Sequence, residues 1–194
     1  MTTRTASLTV AFCLLAVVSI ASADVFHFQP ADRDLADLDH TQVYTWGINF
    51  TVPTGEVITE AALSFNNIYN WDNQPNNLYV HLLDTVAPGI HTTVDNEHGG
   101  DNLAGQGILL NHWQNLPASA QDITYNFDAN EVQAFNAYAA DGNFGLGFDP
   151  DCHFYNDGVC LTVTTAPVPE PATSTIGLMC ASFILKRQRR RNAA

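Results

Sequence analysis

Residues 43–52 decide the fold, and their sequence is Val43-Tyr44-Thr45-Trp46-Gly47-Ile48-Asn49-Phe50-Thr51-Val52. From Tyr44 onward every second side chain is large and apolar, and smaller residues lie between them. A period of two is that of an extended strand, whose alternate side chains point to opposite faces. The segment ends at Pro53-Thr54-Gly55, which is typical of a turn. It therefore predicts a β-strand with one face in a hydrophobic core.

The same alternation recurs along the chain. It is present around five further residues: Leu63, Val80, Tyr125, Leu146 and Leu161. These short segments are separated by Asn, Asp, Gly and Pro, which is typical of an antiparallel β-sandwich or a jelly roll. The sequence therefore predicts an all-β protein with a single antiparallel β-sandwich or jelly-roll domain, residues 24–165.

One short helix is predicted within this domain. Asp128 and Glu131 form a pattern like a capping box, the arrangement that begins many helices. Apolar residues follow at helical spacing, namely Val132, Phe135 and Tyr138. Residues 85–122, by contrast, are predicted to be mostly loops.

The charge distribution excludes one class of partner. The net charge is −13, and Arg33 is the only Lys or Arg between Asp24 and Val168, where all but one of the 20 acidic residues lie. Such a domain repels phosphate backbones, and it lacks the basic side chains that most phosphate sites use. We therefore expect no binding to nucleic acid.

Two groups of acidic residues are candidate calcium ligands. The first group is Asp149, Asp151 and Asp157, and the second is Asp32, Asp34, Asp37 and Asp39. Calcium takes six to eight oxygen ligands from carboxylates, amides and carbonyls. Neither an EF-hand nor a nonapeptide repeat is present, so solvated surface acids are the alternative. A structural calcium ion is the one cofactor that the sequence suggests.

Two tryptophans are candidate carbohydrate platforms. Trp71 lies among amides and an acid in residues 70–77, and Trp113 has a similar setting in residues 111–115. A sugar site combines an exposed aromatic face with polar groups that bind hydroxyls. The alternative is that each is a core tryptophan capped by loop amides, whereas the alternation around Trp46 places that residue in the core.

Catalytic motifs are few. The seven histidines include no pair four residues apart and no His-Glu-x-x-His, which argues against zinc catalysis. The histidine of Asp39-His40 is interpreted as a solvated loop residue. No Gly-x-Ser-x-Gly occurs, whereas carboxylate pairs are abundant, so a polysaccharide-active enzyme stays open as a weaker alternative. We expect no enzymatic activity.

The N-terminus has the features of a secretory signal peptide. Arg4 precedes an apolar run from Leu8 to Ile20, and Ala21-Ser22-Ala23 provides the small residues that signal peptidase requires. Residues 1–23 are therefore predicted to be removed, with Asp24 as the mature N-terminus. Disulfides persist outside the cytoplasm. Cys152 and Cys160 flank Asn156-Asp157-Gly158, a hairpin-turn pattern, so we predict a disulfide between them.

The C-terminal segment, residues 166–194, has three parts in a fixed order. A proline-rich stretch contains Val168, Pro169, Glu170, Pro171, Ala172 and Thr173. A short apolar helix is predicted up to Leu185, and a basic cluster starts at Lys186. The apolar segment is shorter than the roughly 20 residues of a spanning helix, and its basic end predicts a cytoplasmic C-terminus. We expect only transient membrane anchoring.

This tail resembles the PEP-CTERM sorting signal of bacterial exported proteins, and the likeness is confined to residues 168–191. It implies that the Val168–Thr173 motif is recognised by an exosortase, a membrane transpeptidase that removes the tail. It also implies association with the cell envelope and extracellular polysaccharide.

The resulting hypothesis is an exported, exosortase-sorted protein of the cell envelope or extracellular matrix, non-catalytic and associated with polysaccharide. The alternative is a calcium-dependent carbohydrate-binding module. An exposed Trp71 or Trp113 favours binding, whereas two buried tryptophans favour a purely structural role.

Overall fold

The computed structural model describes residues 22–95 and 99–168. Nearly all of the predicted signal peptide, and the sorting motif from Pro169 onward with its helix and basic end, lie outside the described residues.

The described chain consists of ten strands, one α-helix and two short 3-10 helices. The strands are β1 (Asp24–Phe28), β2 (Gln42–Asn49), β3 (Glu56–Asn70), β4 (Asn77–Leu83), β5 (Gly89–Val94), β6 (Ile108–Gln114), β7 (Gln121–Asn126), β8 (Asn143–Pro150), β9 (Phe154–Tyr155) and β10 (Gly158–Pro167). The helix α1 is Ala129–Tyr138, and the 3-10 helices are Ala36–Leu38 and Ala139–Asp141.

Two antiparallel sheets pack face to face and confirm the predicted all-β sandwich. The first sheet has the order β1-β10-β3-β7, with β9 also paired to β3, and the second has the order β5-β2-β8-β4-β6. Without β5 and β9, the eight remaining strands lie in the orders 1-8-3-6 and 2-7-4-5. This alternation of the chain between two four-stranded sheets is the jelly-roll arrangement.

The core lies between the sheets. Phe65 of the first sheet meets Phe148 of the second edge to face, with ring centroids 6.1 Å apart. Helix α1 closes one end of the sandwich, where fully buried Phe135 lies 4.6 Å from the ring of Phe144. The predicted helix start is confirmed, because Asp128 and Glu131 form a complete capping box. No helix in the described ranges is long and apolar enough to cross a membrane.

The predicted loop region, residues 85–122, also contains two strands that the sequence analysis missed, β5 and β6. Strand β5 lies at a sheet edge with mostly exposed side chains, so it has no apolar alternation to detect. A bulge between Val80 and His81 changes the register of β6 on β4, which disturbs the period of two.

The predicted Cys152–Cys160 disulfide is absent, and both thiols are free. Strands β9 and β10 do not form a hairpin; they follow one another along the same neighbour, β3, with Tyr155 opposite Tyr69 and Gly158 opposite Asn66. The chain between the two cysteines is therefore nearly extended. Eight residues at about 3.3 Å each separate their Cα atoms by on the order of 20 Å, far beyond disulfide range.

Candidate functional site

Three rings lie together at one end of the first sheet, and the loop that carries Trp71 is bonded to the same place. Tyr69 and Tyr155 are cross-strand partners with ring centroids 5.2 Å apart, and the His153 ring lies 4.7 Å from Tyr155. The Trp71 backbone N–H donates to the His153 carbonyl at 3.0 Å, and the Trp71 side chain is 58% exposed. We call Tyr69, Trp71, His153 and Tyr155 the aromatic patch.

The loop that carries Trp71 is held from below by two buried amides. The Asn70 side chain donates to the carbonyl of Asp72 at 2.9 Å and to its carboxylate at 3.1 Å. Asn76 donates to the Leu116 carbonyl at 3.0 Å and accepts from its N–H at 2.8 Å. These contacts hold the backbone of the loop. The loop therefore does not depend on burial of the Trp71 side chain, although most tryptophans are largely buried.

Polar groups for sugar hydroxyls lie on the same loop. Asn73 and Gln74 are exposed, and Asp72 is half-buried. An exposed ring with neighbouring amides can stack on the apolar face of a sugar while the amides bind its hydroxyls.

Trp113, the second predicted platform, has a different environment. It is half-buried on β6 and packs edge to face on Phe65 at 5.7 Å and on Tyr125 at 5.9 Å. The structure thus places Trp113 against the core, so only Trp71 has the exposure that a platform requires.

The predicted calcium group Asp149, Asp151 and Asp157 does not come together. Asp157 is exposed near β3, where its carboxylate accepts from the Asn67 side chain at 2.6 Å. Asp149 and Asp151 lie instead at the end of β8 in the second sheet. Asp95 and Asp101, from the segment between β4 and β6, approach them there. We call Asp95, Asp101, Asp149 and Asp151 the acidic cluster.

The segment between β4 and β6 builds this cluster by crossing the outer face of β8. A side chain at Gly147 would collide with Leu103, since its Cβ would lie 2.4 Å from Leu103 Cδ1. The preceding residue, Asn102, donates its backbone N–H to Asp149 Oδ2 at 2.6 Å and its side-chain Nδ2 to Asp95 Oδ1 at 2.7 Å. One asparagine therefore bridges two carboxylates beneath a covering loop.

The electrostatics of the acidic cluster are unfavourable to charge. Burial raises the pKa of Asp149 to about 6; the bonds from Asn102 oppose this, and the Asp95 and Asp151 carboxylates add to it. Burial also raises the pKa of Asp151, although the Asn77 side chain, which donates at 2.9 Å, lowers it. The only Lys or Arg in the described part of the chain is Arg33.

Two histidines lie beside these carboxylates. His81, whose side chain is buried, places Nε2 3.0 Å from Asp101 Oδ2. His112 lowers the pKa of Asp151, and its Nε2 lies 2.9 Å from Asn77 Oδ1. The carboxylates of the acidic cluster supply oxygen atoms, which are the ligands that hard cations prefer.

The second predicted calcium group lies around the turn before β2. Asp32 and Asp34 are neighbours, and their hydrogen bond is the main cause of the raised pKa of Asp32, to which Asp37 adds. Between these acids and Asp39 the backbone forms a left-handed turn that buries Leu35 and Leu38. Asp39 lies beside Tyr44, whose hydroxyl accepts from the Asp39 N–H at 2.8 Å. Burial raises the pKa of Tyr44, and the Asp37 and Asp32 carboxylates also help to raise it.

Asp39 belongs to a cluster that the sequence analysis missed. Its Oδ1 lies 3.5 Å from His40 Nδ1 and its Oδ2 lies 4.0 Å from His153 Nδ1. The three donor atoms all lie within 4.8 Å of one another. Asp39 and His40 are adjacent in the sequence, which is the only local sign of the cluster. His153 is distant in the sequence and is brought beside them by the tertiary structure. We call Asp39, His40 and His153 the histidine cluster.

Comparisons with known proteins give a distant likeness. No family model and no curated protein matches the chain. A recombinantly expressed latent aurone synthase, a polyphenol oxidase, is 9% identical with a TM-score of 0.42, and the match covers 73% of this chain and 28% of that one. The same type of enzyme from its natural source is 10% identical with a TM-score of 0.37, over 64% and 24%. The chain thus spans less than a third of the length of either.

Proposed function

We propose that this chain is an exported, non-catalytic protein of the cell envelope or extracellular matrix that binds polysaccharide through the aromatic patch. The observation that carries the proposal is the exposure of Trp71 on a loop fixed by Asn70 and Asn76. A tryptophan left in water costs solvation free energy, and a sugar ring stacked on it would recover part of that cost.

The neighbouring rings support a site longer than one sugar. Tyr155 is 36% exposed and is paired with Tyr69, and the Trp71 backbone is bonded to His153, the residue before β9. A row of rings at one end of a sandwich suits an extended chain of sugars, each stacked on one ring. We therefore favour a polysaccharide over a free monosaccharide.

The export and sorting part of the proposal rests on the two termini of the sequence. Strand β10 ends at Pro167, two residues beyond the predicted boundary. Pro167 pairs only with Glu56 of β3, because the pairing of β10 with β1 extends no further than Thr165 and Asp24. A proline is tolerated at this position because no strand lies on its β1 side to accept a hydrogen bond from a backbone N–H. Cleavage by an exosortase within residues 168–173 would leave all ten strands in the released protein.

The absence of catalysis is supported by the place of the acidic cluster. Asp149 is 0% exposed and is bonded to Asn102, so it cannot act together with half-buried Asp151 on a polysaccharide chain. A glycosidase requires two carboxylates that flank the sugar in an open cleft.

The test is a glycan array followed by affinity electrophoresis of the full-length chain. Trp71→Ala should lower the affinity for the bound polysaccharide at least tenfold, because buried aromatic contacts commonly contribute about 2 kcal/mol or more. Leu109→Ala is the matched control, since Leu109 is 46% exposed on β6, which belongs to the other sheet. Equal affinities of the Trp71→Ala variant and the unmodified chain would contradict the proposal.

We also propose a structural calcium ion at the acidic cluster, with Asp149 and Asp151 among its ligands. A fully buried carboxylate beside other carboxylates and without Lys or Arg favours this. If calcium is also required for sugar binding, chelation will abolish retention on the polysaccharide, and the protein is a calcium-dependent carbohydrate-binding module.

A further inference from the structure

We infer that Asp39, His40 and His153 form a binding site for a divalent transition-metal ion of the Zn²⁺ or Cu²⁺ class. The inference goes beyond polysaccharide binding and stands independently of it. It starts from the geometry of the three donor atoms.

The spacing of those atoms is close to that of a coordination shell. Ligands at 2.0–2.1 Å from a tetrahedral metal ion are about 3.3 Å from one another. The separations of 3.5 Å and 4.0 Å from the two Asp39 oxygens to His40 Nδ1 and His153 Nδ1 lie just above this value. The three donor atoms lie within 4.8 Å of one another, so binding requires them to approach by up to about 1.5 Å.

The donor types select the metal. Two imidazole nitrogens and one carboxylate suit zinc, copper, nickel or iron, whereas calcium and magnesium prefer oxygen alone. Three protein ligands leave at least one coordination position for water or for a ligand from solution.

The carboxylate of Asp39 is already oriented. Its Oδ1 accepts from both the backbone N–H and the hydroxyl of Thr41, each at 2.9 Å. Hydrogen bonds that fix a ligand in this way commonly change metal affinity about 10- to 100-fold.

The site is open to solvent and adjoins the aromatic patch. The side chains of His40, Asp39 and His153 are 51%, 41% and 26% exposed. His153 contacts the Tyr155 ring, so a metal ion here would lie at the edge of the patch.

The test is titration of the full-length chain with Zn²⁺ by calorimetry and with Cu²⁺ by electron paramagnetic resonance. The first equivalent of Cu²⁺ should show coupling to two imidazole nitrogens. Each of His40→Ala and His153→Ala should lose one nitrogen coupling and weaken binding at least tenfold. Thr41→Val, which keeps all three ligands, should weaken binding about tenfold.

Three control variants separate this site from others on the chain. His27→Ala and His91→Ala remove exposed histidines outside the cluster, and Asp149→Asn alters the acidic cluster; none should change the first equivalent. Unchanged binding in His40→Ala or His153→Ala, or loss of binding in a control, would overturn the inference. Neither result bears on sugar binding, which Trp71→Ala tests separately.

Discussion

Replacement of Asp149 by asparagine should stabilise the protein at neutral pH. Asp149 is fully buried, and its pKa is raised from 3.8 to about 6. A folded-state pKa above the unfolded one adds stability below pH 4, and that stability is lost as the pH rises through 6. This difference between the unfolded and folded pKa values corresponds to about 3 kcal/mol of folding stability that is lost by neutral pH.

The variant removes the charge and keeps the main hydrogen bond. The amide oxygen that Asp149→Asn introduces can accept from the Asn102 N–H, as Asp149 Oδ2 does at 2.6 Å. The groups that face this position are the Asp95, Asp101 and Asp151 carboxylates and Tyr79, its partner on β4. The new amide NH₂ can donate to the neighbouring carboxylates. We therefore expect the free energy of unfolding to rise by about 1–3 kcal/mol at pH 7.5 and not to change at pH 4.

The measurement is urea unfolding of the full-length chain from pH 4 to pH 8, in chelator. The unmodified protein should lose stability between pH 4.5 and pH 7, and Asp149→Asn should lose less. Asp157→Asn is the control, because Asp157 is exposed and should change stability by less than about 0.5 kcal/mol. If Asp149→Asn is less stable than the unmodified chain at pH 7.5, the account of a destabilising buried carboxylate is wrong.

Three further predictions concern calcium, the cysteines and the tail. In thermal melts, saturating Ca²⁺ should raise the melting temperature by about 5–10 °C, more than Mg²⁺ at equal ionic strength, and the gain should vanish in Asp149→Asn; equal effects of the two ions would leave only charge screening. Cys152 and Cys160 should both react with an alkylating reagent without prior reduction; peptide mapping that finds them joined would show that the β9–β10 geometry is wrong. Alanine at residues 169–171 should leave an unprocessed membrane-bound precursor in a host with an exosortase, and normal release would refute the sorting hypothesis.

The sandwich was predictable because its signals are local. Tyr44, Trp46 and Ile48 alternate along β2, and the structure buries all three between the sheets. The capping box at Asp128 and Glu131 is likewise local, since its two bonds span three residues. Exposure of Trp71 was one of two open alternatives, because the amide-rich sequence around it also suits a capped core residue.

Strand partners were decided only by the tertiary structure. Asn156-Asp157-Gly158 is a turn pattern, yet β3 extends far enough to pair with both β9 and β10, and this long-range pairing overrides the local preference. Edge strand β5 leaves no pattern at all, because a strand exposed on most of its surface needs no apolar face.

The candidate sites show the same division. Composition and spacing along the sequence determined which side chains were available: many carboxylates, seven histidines and almost no positive charge before the tail. The tertiary structure determined which of them meet. His153 reaches Asp39 because β9 pairs with the end of β3, and Asn102 reaches Asp149 because the β4–β6 segment crosses β8 above two glycines. Donor geometry depends on distances of a few ångströms between residues far apart in the chain, and no local pattern encodes those distances.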